Sequence, residues 1–465
     1  MDELKNIQKI YFIGIGGIGM SALARYFRFH GKEVSGYDKT ETVLTKQLIA
    51  EGIPVHYEDN IELAPKDAQW IVYTPAIPAD HRELLFYREN NYTILKRSDV
   101  LGVITNSSFN ICVAGTHGKT TVSTMIAHIL RDSEYGCNAF LGGISVNYNS
   151  NFWSNQRNVC VIEADEYDRS FLKLSPDIAV ITAMDADHLD IYGTAEAFED
   201  AFIVFSGKVK PAGLLLAKYG LQRTDDLKTA NRMSYSLDNN NADIYTKNIR
   251  IINGSYVFDV LSEDWSLPAV LLNMGGLHNI ENAVVAIAVA HRLGIEDEKI
   301  KKAITSFRGV KRRFEYVLAP SSLGGEVGRP VFIDDYAHHP EELKALINSA
   351  KNLFPGKKCI VIFQPHLFTR TRDFADGFAE SLDLADEVIL LPVYPARELP
   401  IKGVTSKMIA DRMKKAKVHL MKKEELLQWL GNTPEGAGGR LFITAGAGDI
   451  DTLIKPMATF FEKMN

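Results

Sequence analysis

The stretch Val113-Ala-Gly-Thr-His-Gly-Lys-Thr-Thr121 decides the fold of the middle of this chain. Residues 109–113 before it are typical of a short buried strand, and residues 122–130 after it carry apolar side chains at helical spacing. This order predicts a phosphate site, because Gly115 and Gly118 allow a tight loop whose backbone N–H groups face the ligand at a helix N-terminus. Lys119 would bring positive charge to the terminal phosphates, and Thr120 would offer its hydroxyl to Mg²⁺.

This loop is a shortened variant of the usual pattern G-x-x-x-x-G-K-[ST], because Val113 stands where that pattern has its first glycine. The alternative is a strand-to-helix turn that needs only the glycines. That alternative does not explain why a lysine and two threonines follow the second glycine directly. We therefore interpret the stretch as a nucleotide phosphate site.

A second glycine loop opens the chain. The strand Ile10-Tyr-Phe-Ile13 runs into Gly14-Ile-Gly16-Gly-Ile-Gly19 and an apolar helix, and a further strand ends at Asp38. This is the G-x-G-x-x-G pattern in its strand-to-helix setting, with an acidic residue at about the expected distance, so it predicts a bound diphosphate. The pattern leaves open whether that diphosphate belongs to NAD or to a nucleotide-sugar.

The space before the next phosphate loop helps to decide between these ligands. A complete dinucleotide domain needs two mononucleotide halves, whereas a new phosphate loop already begins at Gly115. The intervening chain holds the strand Trp70-Ile-Val-Tyr73, the segment Thr74-Pro-Ala-Ile-Pro78 and Arg97. We therefore favour a small domain that holds one nucleotide-diphosphate ligand over one that transfers hydride.

Acidic segments follow two predicted strands of the middle region. Residues 158–162 end in Glu163-Ala-Asp165-Glu166, and residues 178–181 lead into Asp185-Ala-Asp187-His188-Leu-Asp190. A carboxylate at a strand end beside a phosphate loop is suited to nucleotide-bound Mg²⁺, which prefers oxygen ligands. Solvated loop acids and a structural histidine are the alternative interpretation.

The region from Leu221 to Asn273 predicts a small antiparallel sheet without chemistry, with a hairpin turn at Asn253-Gly254. The segment Gly275-Gly-Leu-His278-Asn279-Ile-Glu-Asn282 then opens an apolar helix. Its histidine and two asparagines are suited to hydrogen-bonding a base, although helix capping alone explains either asparagine.

The last third of the chain predicts another parallel sheet. The basic cluster Lys311-Arg312-Arg313 precedes a glycine-rich connection, where a hinge could present an arginine to phosphate, although such clusters are usually solvated. Strands at residues 331–333, 359–363, 388–391 and 441–444 then alternate with amphipathic helices. Polar residues follow the strands at 334–340, 364–371, 394–398 and 446–449, and ligands bind at the carboxyl ends of strands in such sheets.

Length and composition bound the remaining possibilities. The 465 residues predict three domains, at 1–107, 108–313 and 314–465. A net charge of −6 argues against a nucleic-acid partner, and without a signal peptide or a long apolar stretch we expect a cytoplasmic protein with no membrane insertion. The four cysteines are too widely spaced for a zinc or disulfide pattern, so we expect buried thiols.

Together these motifs resemble the Mur ligase family of peptidoglycan synthesis, and the likeness covers the whole chain. Residues 115–121 look like the family's ATP loop, residues 163–166 and 187–190 like its magnesium segments, and residues 278–282 like its adenine segment. Residues 14–19, 335–340, 363–366 and 446–449 are similar to the members that act on L-alanine. The expected fold is α/β with three domains: a Rossmann-like N-terminal domain, a central P-loop ATPase-like domain with a small antiparallel sheet, and a Rossmann-like C-terminal domain.

The resemblance also implies site residues. Those for ATP are Gly115, Thr116, His117, Gly118, Lys119, Thr120, Thr121, His278, Asn279, Asn282, Arg313 and Asp335. Those for the UDP-sugar are Gly14, Gly16, Gly17, Gly19, Asp38, Thr74 and Arg97. Those for Mg²⁺ are Thr120, Glu163 and His188, and catalytic roles fall to Lys119, His188, His338 and Arg370.

The implied reaction uses ATP and Mg²⁺ to phosphorylate the lactyl carboxylate of UDP-N-acetylmuramate, after which the amine of L-alanine attacks the acyl phosphate. Two features depart from the family pattern. Residues 197–201 contain no lysine, so no carbamate is assigned, and Leu367 stands where a basic residue often occurs. We expect a monomer or a weak homodimer.

Three competing functions are a nucleotide-sugar dehydrogenase, a non-catalytic nucleotide sensor and a ligase that recycles a tripeptide. The dehydrogenase leaves Lys119 and Glu163 unexplained, and a sensor would bind ATP without turnover. Tyr336 and the segment from Phe363 to Arg370 argue against the recycling ligase.

Overall fold

The computed structural model describes residues 2–186, 189–320, 329–396, 398–431 and 439–463, and these residues build three α/β sheets. Every predicted strand that carries a site motif is present within two residues of its expected bounds. The architecture therefore confirms the expected three-part α/β fold.

The first sheet has five parallel strands in the order β3-β2-β1-β4-β5. Its strands are β1 (Lys9–Ile13), β2 (Glu33–Tyr37), β3 (Val55–His56), β4 (Trp70–Tyr73) and β5 (Thr93–Lys96). Its helices are α1 (Asp2–Asn6), α2 (Ile18–Phe29), α3 (Val43–Ala50), α4 (Arg82–Glu89) and α5 (Arg97–Ser107). Strands β1 and β4 are neighbours although β2 and β3 intervene in the chain, so the strand order reverses at β1, where such sheets bind ligands.

The second sheet has ten strands in the order β15-β14-β13-β12-β11-β10-β6-β9-β7-β8. Its strands are β6 (Phe109–Ala114), β7 (Asn138–Ser145), β8 (Ser150–Trp153), β9 (Val159–Glu163), β10 (Ile178–Ile181), β11 (Leu214–Lys218), β12 (Arg232–Tyr235), β13 (Ile244–Ile252), β14 (Ser255–Ser262) and β15 (Ser266–Leu272). Its helices are α6 (Lys119–Asp132), α7 (Leu189–Tyr192), α8 (Ala195–Ser206), α9 (Leu277–Arg292) and α10 (Asp297–Ser306). Strands β9, β6 and β10 are adjacent and parallel, so the loops after them open at one edge.

The hairpin predicted at Asn253-Gly254 joins β13 to β14. Both turn residues have positive φ, 53° for Asn253 and 83° for Gly254, as a two-residue type I′ turn requires. The hairpin is not a separate small sheet, because β12 and β13 pair at Tyr235 and Ile244 and join these strands to the ten-stranded sheet.

The third sheet has six strands in the order β16-β17-β21-β18-β19-β20, and only the edge strand β16 is antiparallel to its neighbour. Its strands are β16 (Glu315–Leu318), β17 (Val331–Asp335), β18 (Lys358–Phe363), β19 (Glu387–Leu390), β20 (Lys417–Leu420) and β21 (Arg440–Ala445). Its helices are α11 (Pro340–Leu353), α12 (Phe368–Asp373), α13 (Ala375–Leu382), α14 (Lys407–Ala410), α15 (Lys423–Gly431) and α16 (Ile454–Glu462).

The chain divides into two compact units. The first consists of Met1–Thr246, Val260–Ser266 and Glu281–Ala303, and the second of Lys247–Asp259, Leu267–Ile280 and Ile304–Asn465. Within the first unit one apolar core runs from the first sheet into the second, and Tyr26 of α2 packs on Phe140 of β7 with ring centroids 5.3 Å apart. This shared core fixes the glycine loop before α2 relative to the second sheet.

All four cysteines are buried free thiols, as predicted. Within the described ranges, none of the helices combines the length and the apolar character needed to span a bilayer.

Candidate active site

The phosphate loop between β6 and α6 depends on two glycines with left-handed backbone. Gly115 has φ 137°, and a Cβ atom there would lie 2.1 Å from Thr182 Oγ1. Gly118 has φ 85° and is the N-cap of α6, so the predicted helix begins at Lys119, directly beneath the loop. Both positions therefore require glycine, as the sequence indicated.

The segment after β10 holds this loop in shape. The Thr116 hydroxyl donates to the carbonyl of Asp185 at 2.7 Å, and the Thr182 hydroxyl donates to the carbonyl of His117. The side chain of His117 is exposed, whereas Thr121 is buried in the first turn of α6. No sequence motif indicated a role for Thr182, and the only signal was its place at the end of a predicted strand.

Lys119 and Thr120 each contact an acid at or just after the end of β9. Lys119 Nζ lies 2.7 Å from Glu166 Oε1 and also donates to the carbonyl of Gly115 at 2.7 Å. The Thr120 hydroxyl donates to Glu163 Oε1 at 2.8 Å. Both acids therefore face the phosphate loop, and neither is a solvated loop acid.

The donor set beside the loop fits Mg²⁺. The Thr120 hydroxyl and the Glu163 carboxylate supply oxygen ligands, which a hard cation prefers together with water and phosphate oxygens. Glu163 Oε2 also accepts the backbone N–H of Gly142 at 2.8 Å. No group of three or more histidine, cysteine or acidic side chains suited to a metal occurs in the described part of the chain, so protein atoms there do not form a closed metal cage. The predicted ligand His188 lies outside the described residues.

The first glycine loop has the geometry of its motif. Gly14 has φ 87°, and a Cβ atom there would lie 2.9 Å from Thr74 Cγ2. The Gly16 N–H donates to Asp38 Oδ2 at 2.8 Å, and Gly17 is the N-cap of α2. The structure thus brings together the predicted residues Gly14, Gly16, Gly17, Asp38 and Thr74.

Arg97 and Gly19 complete this group. A Cβ atom at Gly19 would lie 2.2 Å from Arg97 Nη1, so the guanidinium lies directly against the start of α2. Arg97 Nη2 also lies 3.4 Å from Oδ2 of Asp165, which follows β9 of the second sheet. Arg97 was predicted as a residue of the first domain, but no sequence pattern indicated Asp165 as its acidic partner.

Within the first unit, a cavity of about 220 Å³ extends from the start of α2, after the first glycine loop, to the acids at the end of β9. It is lined on one side by Gly19 and Arg97, and on the other by Gly142, Glu163 and Asp165. A ligand held at the first loop can therefore extend towards the carboxylate that faces Thr120.

The predicted base-binding residues lie in the first two turns of α9. Asn282 Oδ1 would be 3.0 Å from a Cβ atom at Gly118, which places this amide beside the phosphate loop. Asn279 is buried, and its side-chain amide donates to the carbonyl of Gly275 at 2.6 Å. His278 packs against Gly276. Asn279 caps no helix here, because α9 already begins at Leu277.

In the second unit, Asp335 ends strand β17. Its carboxylate accepts the backbone N–H groups of Phe314 and Ala337, each at 2.7 Å. Burial raises the pKa of Asp335 to about 6, and the positive charge of Arg313 opposes that rise. The Arg313 side chain is exposed, whereas Arg312 donates to Asp334 Oδ2 at 3.2 Å. The basic cluster therefore divides into one arginine bound to the sheet and one exposed arginine.

His338 and Arg370 meet at the same edge of the third sheet, through His366. The rings of His338 and His366 have centroids 6.3 Å apart, and Arg370 Nη1 donates to His366 Nδ1 at 3.4 Å. Burial lowers the pKa of both histidines, and the charge of Arg370 lowers it further. One cation and two imidazoles with lowered pKa therefore share this face. Leu367, beside them, has φ 68°.

Comparisons with known proteins agree with this arrangement. Three family models match the chain: the Mur ligase family catalytic domain at residues 9–108, the Mur ligase middle domain at 113–290 and the Mur ligase glutamate ligase domain at 312–448. A curated UDP-N-acetylmuramate–L-alanine ligase from Flavobacterium johnsoniae is 47% identical over 97% of this chain and 97% of its own length.

Solved structures share this fold. The crystal structure of a UDP-N-acetylmuramate-alanine ligase from Thermotoga maritima has a TM-score of 0.80 and 29% identity, and the match covers 98% of this chain and 100% of that one. A murein peptide ligase from Psychrobacter arcticus shares the fold at a TM-score of 0.64 and 21% identity, covering 98% of this chain and 99% of that one. The chain therefore belongs to the Mur ligase family.

Proposed function

We propose that this chain is the ligase that uses ATP to join L-alanine to the lactyl carboxylate of UDP-N-acetylmuramate, a step of peptidoglycan precursor synthesis. One observation carries the proposal: a single cavity is lined by Gly19 of the first glycine loop, by Arg97, which lies against it, and by Glu163, which accepts from Thr120 of the phosphate loop. A diphosphate at the first loop and a phosphoryl donor at the second would bring a carboxylate and a γ-phosphate together. The curated relative supports this choice of substrates.

The three parts of the chain take different ligands in this proposal. Residues 1–107 bind the UDP-sugar through Gly14, Gly16, Gly17, Gly19, Asp38, Thr74 and Arg97. Residues 108–313 bind ATP through residues 115–121, His278, Asn279, Asn282 and Arg313. Residues 314–465 contribute Asp335 to the ATP site and bind the amino acid. We place the enzyme in the cytoplasm, where ATP is available.

The phosphate loop would position the nucleotide. The backbone N–H groups at the start of α6 and the ammonium of Lys119 would bind the phosphates, and Asn282 lies beside Gly118. Thr120 and Glu163, with His188, would hold Mg²⁺, which neutralises charge on the phosphates when it is bound. The protein's own contribution is mainly positioning and electrostatics.

The reaction has two steps. An oxygen of the lactyl carboxylate attacks the γ-phosphorus of ATP, the bond to ADP breaks, and an acyl phosphate forms. The deprotonated amine of L-alanine then attacks the acyl carbon, and inorganic phosphate leaves with one oxygen of the original carboxylate. Activation is needed because a free carboxylate does not accept an amine at neutral pH.

The edge of the third sheet that carries His338, His366 and Arg370 would orient the amino acid. The guanidinium of Arg370 suits a carboxylate, and His338 lies beside it through His366. Burial lowers the pKa of both imidazoles, which favours their neutral forms beside the cation Arg370.

The competing functions have less support. A dehydrogenase does not need Lys119 paired with Glu166 or Thr120 paired with Glu163. The recycling of a tripeptide has weaker support, because the murein peptide ligase shares only 21% identity and shows the fold alone.

The experiment is phosphate release from ATP with UDP-N-acetylmuramate, with and without each amino acid. We expect release that requires both the nucleotide-sugar and L-alanine, and release with the tripeptide but not with L-alanine would overturn the proposal. If the lactyl carboxylate carries heavy oxygen, one labelled atom should appear in the released phosphate. Unlabelled phosphate during amide synthesis would exclude the acyl phosphate.

A further inference from the structure

The three acids of residues 163–166 contact three different partners. Glu163 accepts from Thr120, Asp165 pairs with Arg97, and Glu166 pairs with Lys119. The roles proposed above use the first acid for Mg²⁺ and leave the last without a function. Glu166 is nevertheless the acid that touches the lysine of the phosphate loop.

Among the described residues, the Lys119 ammonium contacts one other side chain, that of Glu166. Lys119 Nζ lies 2.7 Å from Glu166 Oε1, and the side chain of Glu166 is 2% exposed. The other acceptors of Lys119 are backbone carbonyls of the loop itself, Gly115 at 2.7 Å and Thr116 at 3.4 Å. A lysine stem is flexible and its ammonium is a point charge, so Glu166 is the group that fixes its direction.

Glu166 is itself held firmly. Its backbone carbonyl accepts the Tyr192 hydroxyl at 2.6 Å and the N–H of Arg169 at 3.0 Å. Its second carboxylate oxygen, Oε2, is buried and has no hydrogen-bond partner among the described residues. Keeping a carboxylate oxygen buried without a partner is costly, which argues that the pairing with Lys119 offsets this cost.

We infer that Glu166 is a positioning residue, which acts through Lys119 to hold the ammonium where the transferring phosphoryl group develops charge. The inference rests on the function proposed above. Misdirection of the ammonium should slow phosphoryl transfer more than nucleotide binding, because many backbone N–H groups share the binding of the phosphates but the lysine charge serves the transition state.

The test compares Glu166→Gln with the wild type. Glutamine keeps the size and one acceptor but removes the charge, so we expect kcat to fall by about tenfold or more while KM for ATP changes by less than about threefold. Glu166→Asp keeps the charge at a shorter reach and should recover part of kcat. A Glu166→Gln enzyme with wild-type kcat would overturn the inference.

A second readout does not depend on turnover. Without the carboxylate, the Lys119 ammonium loses its ion-pair partner and becomes more accessible, so Lys119 should react severalfold faster with an amine-acylating reagent, as measured by mass spectrometry of the peptide. Unchanged Lys119 reactivity in folded Glu166→Gln and Glu166→Asp would also overturn the inference. If the wild type lacks L-alanine-dependent turnover, the proposed function fails, and the reactivity result still decides whether Glu166 holds Lys119.

Glu387→Gln is the matched control. Glu387 is also a buried glutamate paired with a lysine, Lys358 at 2.5 Å, but it belongs to strand β19 of the third sheet. We expect this variant to lose stability and to keep both kcat and the reactivity of Lys119. An equal fall of kcat in both variants would assign the effect of Glu166 to general loss of folded protein.

Discussion

Arg97 Nη2 lies 3.4 Å from Asp165 Oδ2, so a side chain that rests on the first glycine loop pairs with an acid beside the second. The pair is partly exposed, and such pairs contribute little stability. The position of the pair at the cavity is more important for ligand binding. There the guanidinium of Arg97 can exchange Asp165 for an anionic group of a ligand while it stays against the first glycine loop.

Replacement of Arg97 should therefore weaken binding of the nucleotide-sugar. We expect Arg97→Ala to raise KM for UDP-N-acetylmuramate by about tenfold or more, since a charge-assisted contact to phosphate is lost, with KM for ATP nearly unchanged. Steady-state kinetics with each substrate varied in turn measure the difference. Equal changes in both KM values would contradict the separation of the two sites, and Arg25→Ala, which removes the Glu51 ion pair on the same domain, is a control.

Lys119→Ala should abolish turnover and leave UDP-N-acetylmuramate bound. Lys119 belongs to the second loop, and the diphosphate is assigned to residues 14–19. Calorimetric titration of the nucleotide-sugar into the folded variant checks this expectation. Loss of that binding would show that the two loops do not act as separate sites.

Arg370→Ala should lower kcat by more than it weakens ATP binding, because Arg370 lies in a cluster with His338 and His366 and not in the phosphate loop. We expect a fall of about 100-fold at saturating substrates. Arg372→Ala, whose side chain pairs only with the neighbouring Asp373 among its ion-pair partners in the described chain, should keep its rate. An unchanged rate for Arg370→Ala would remove this residue from the site.

Gly115→Ala should abolish nucleotide binding and lower stability. The new Cβ would lie 2.1 Å from Thr182 Oγ1, and φ is 137°, so the loop must move. Gly220→Ala is the control, because φ there is 81° but, apart from the adjoining residues, no atom lies within 4 Å of the added carbon. We expect the control to lose about 1 kcal/mol and to bind ATP normally. Denaturation curves and nucleotide titrations compare the two variants.

Glu83 makes the stability of the first domain depend on pH. Burial raises its pKa to about 7, although the Tyr11 hydroxyl and the backbone N–H of Asn60 donate to it. A raised pKa means that ionisation of Glu83 disfavours the folded state. The contribution of Glu83 to the stability of the folded state is therefore full below about pH 4 and is lost as the pH rises through 7.

Glu83→Gln removes that ionisation. Between pH 5 and pH 8 the melting temperature of the wild type should therefore fall relative to that of Glu83→Gln, measured by circular dichroism. Glu33→Gln, whose side chain is 68% exposed, should show no such change. A constant difference across the pH range for Glu83→Gln would contradict the raised pKa.

Local motifs predicted the fold well where strand, turn and helix follow one another directly. The phosphate loop, the first glycine loop and the Asn253-Gly254 turn each need a backbone conformation that only a few residue types adopt. Their sequences therefore predict their geometry. The merging of the hairpin with the ten-stranded sheet was not predictable, because it depends on the pairing of β12 with β13.

At the site, the sequence did not predict the side-chain contacts between distant segments. Thr182 beneath Gly115, Asp165 beside Arg97 and Glu166 beside Lys119 join residues that are 47 to 68 positions apart. Spacing places such residues at one sheet edge but does not say which acid meets which cation, because that choice is made by packing and register.

The buried cysteines allow local opening of the chain to be measured by thiol labelling. Burial raises the pKa of Cys137 to about 12, of Cys160 to about 11 and of Cys359 to about 12, and only a thiolate reacts quickly with alkylating reagents. Labelling therefore measures how often each thiol becomes exposed to solvent. Labelling of Cys112, Cys137 and Cys160 reports on the second sheet, and labelling of Cys359 reports on the third. Residues 1–107 contain no cysteine, so their opening is not detected. A ligand that rigidifies only the central sheet would slow labelling at three thiols and leave the fourth unchanged.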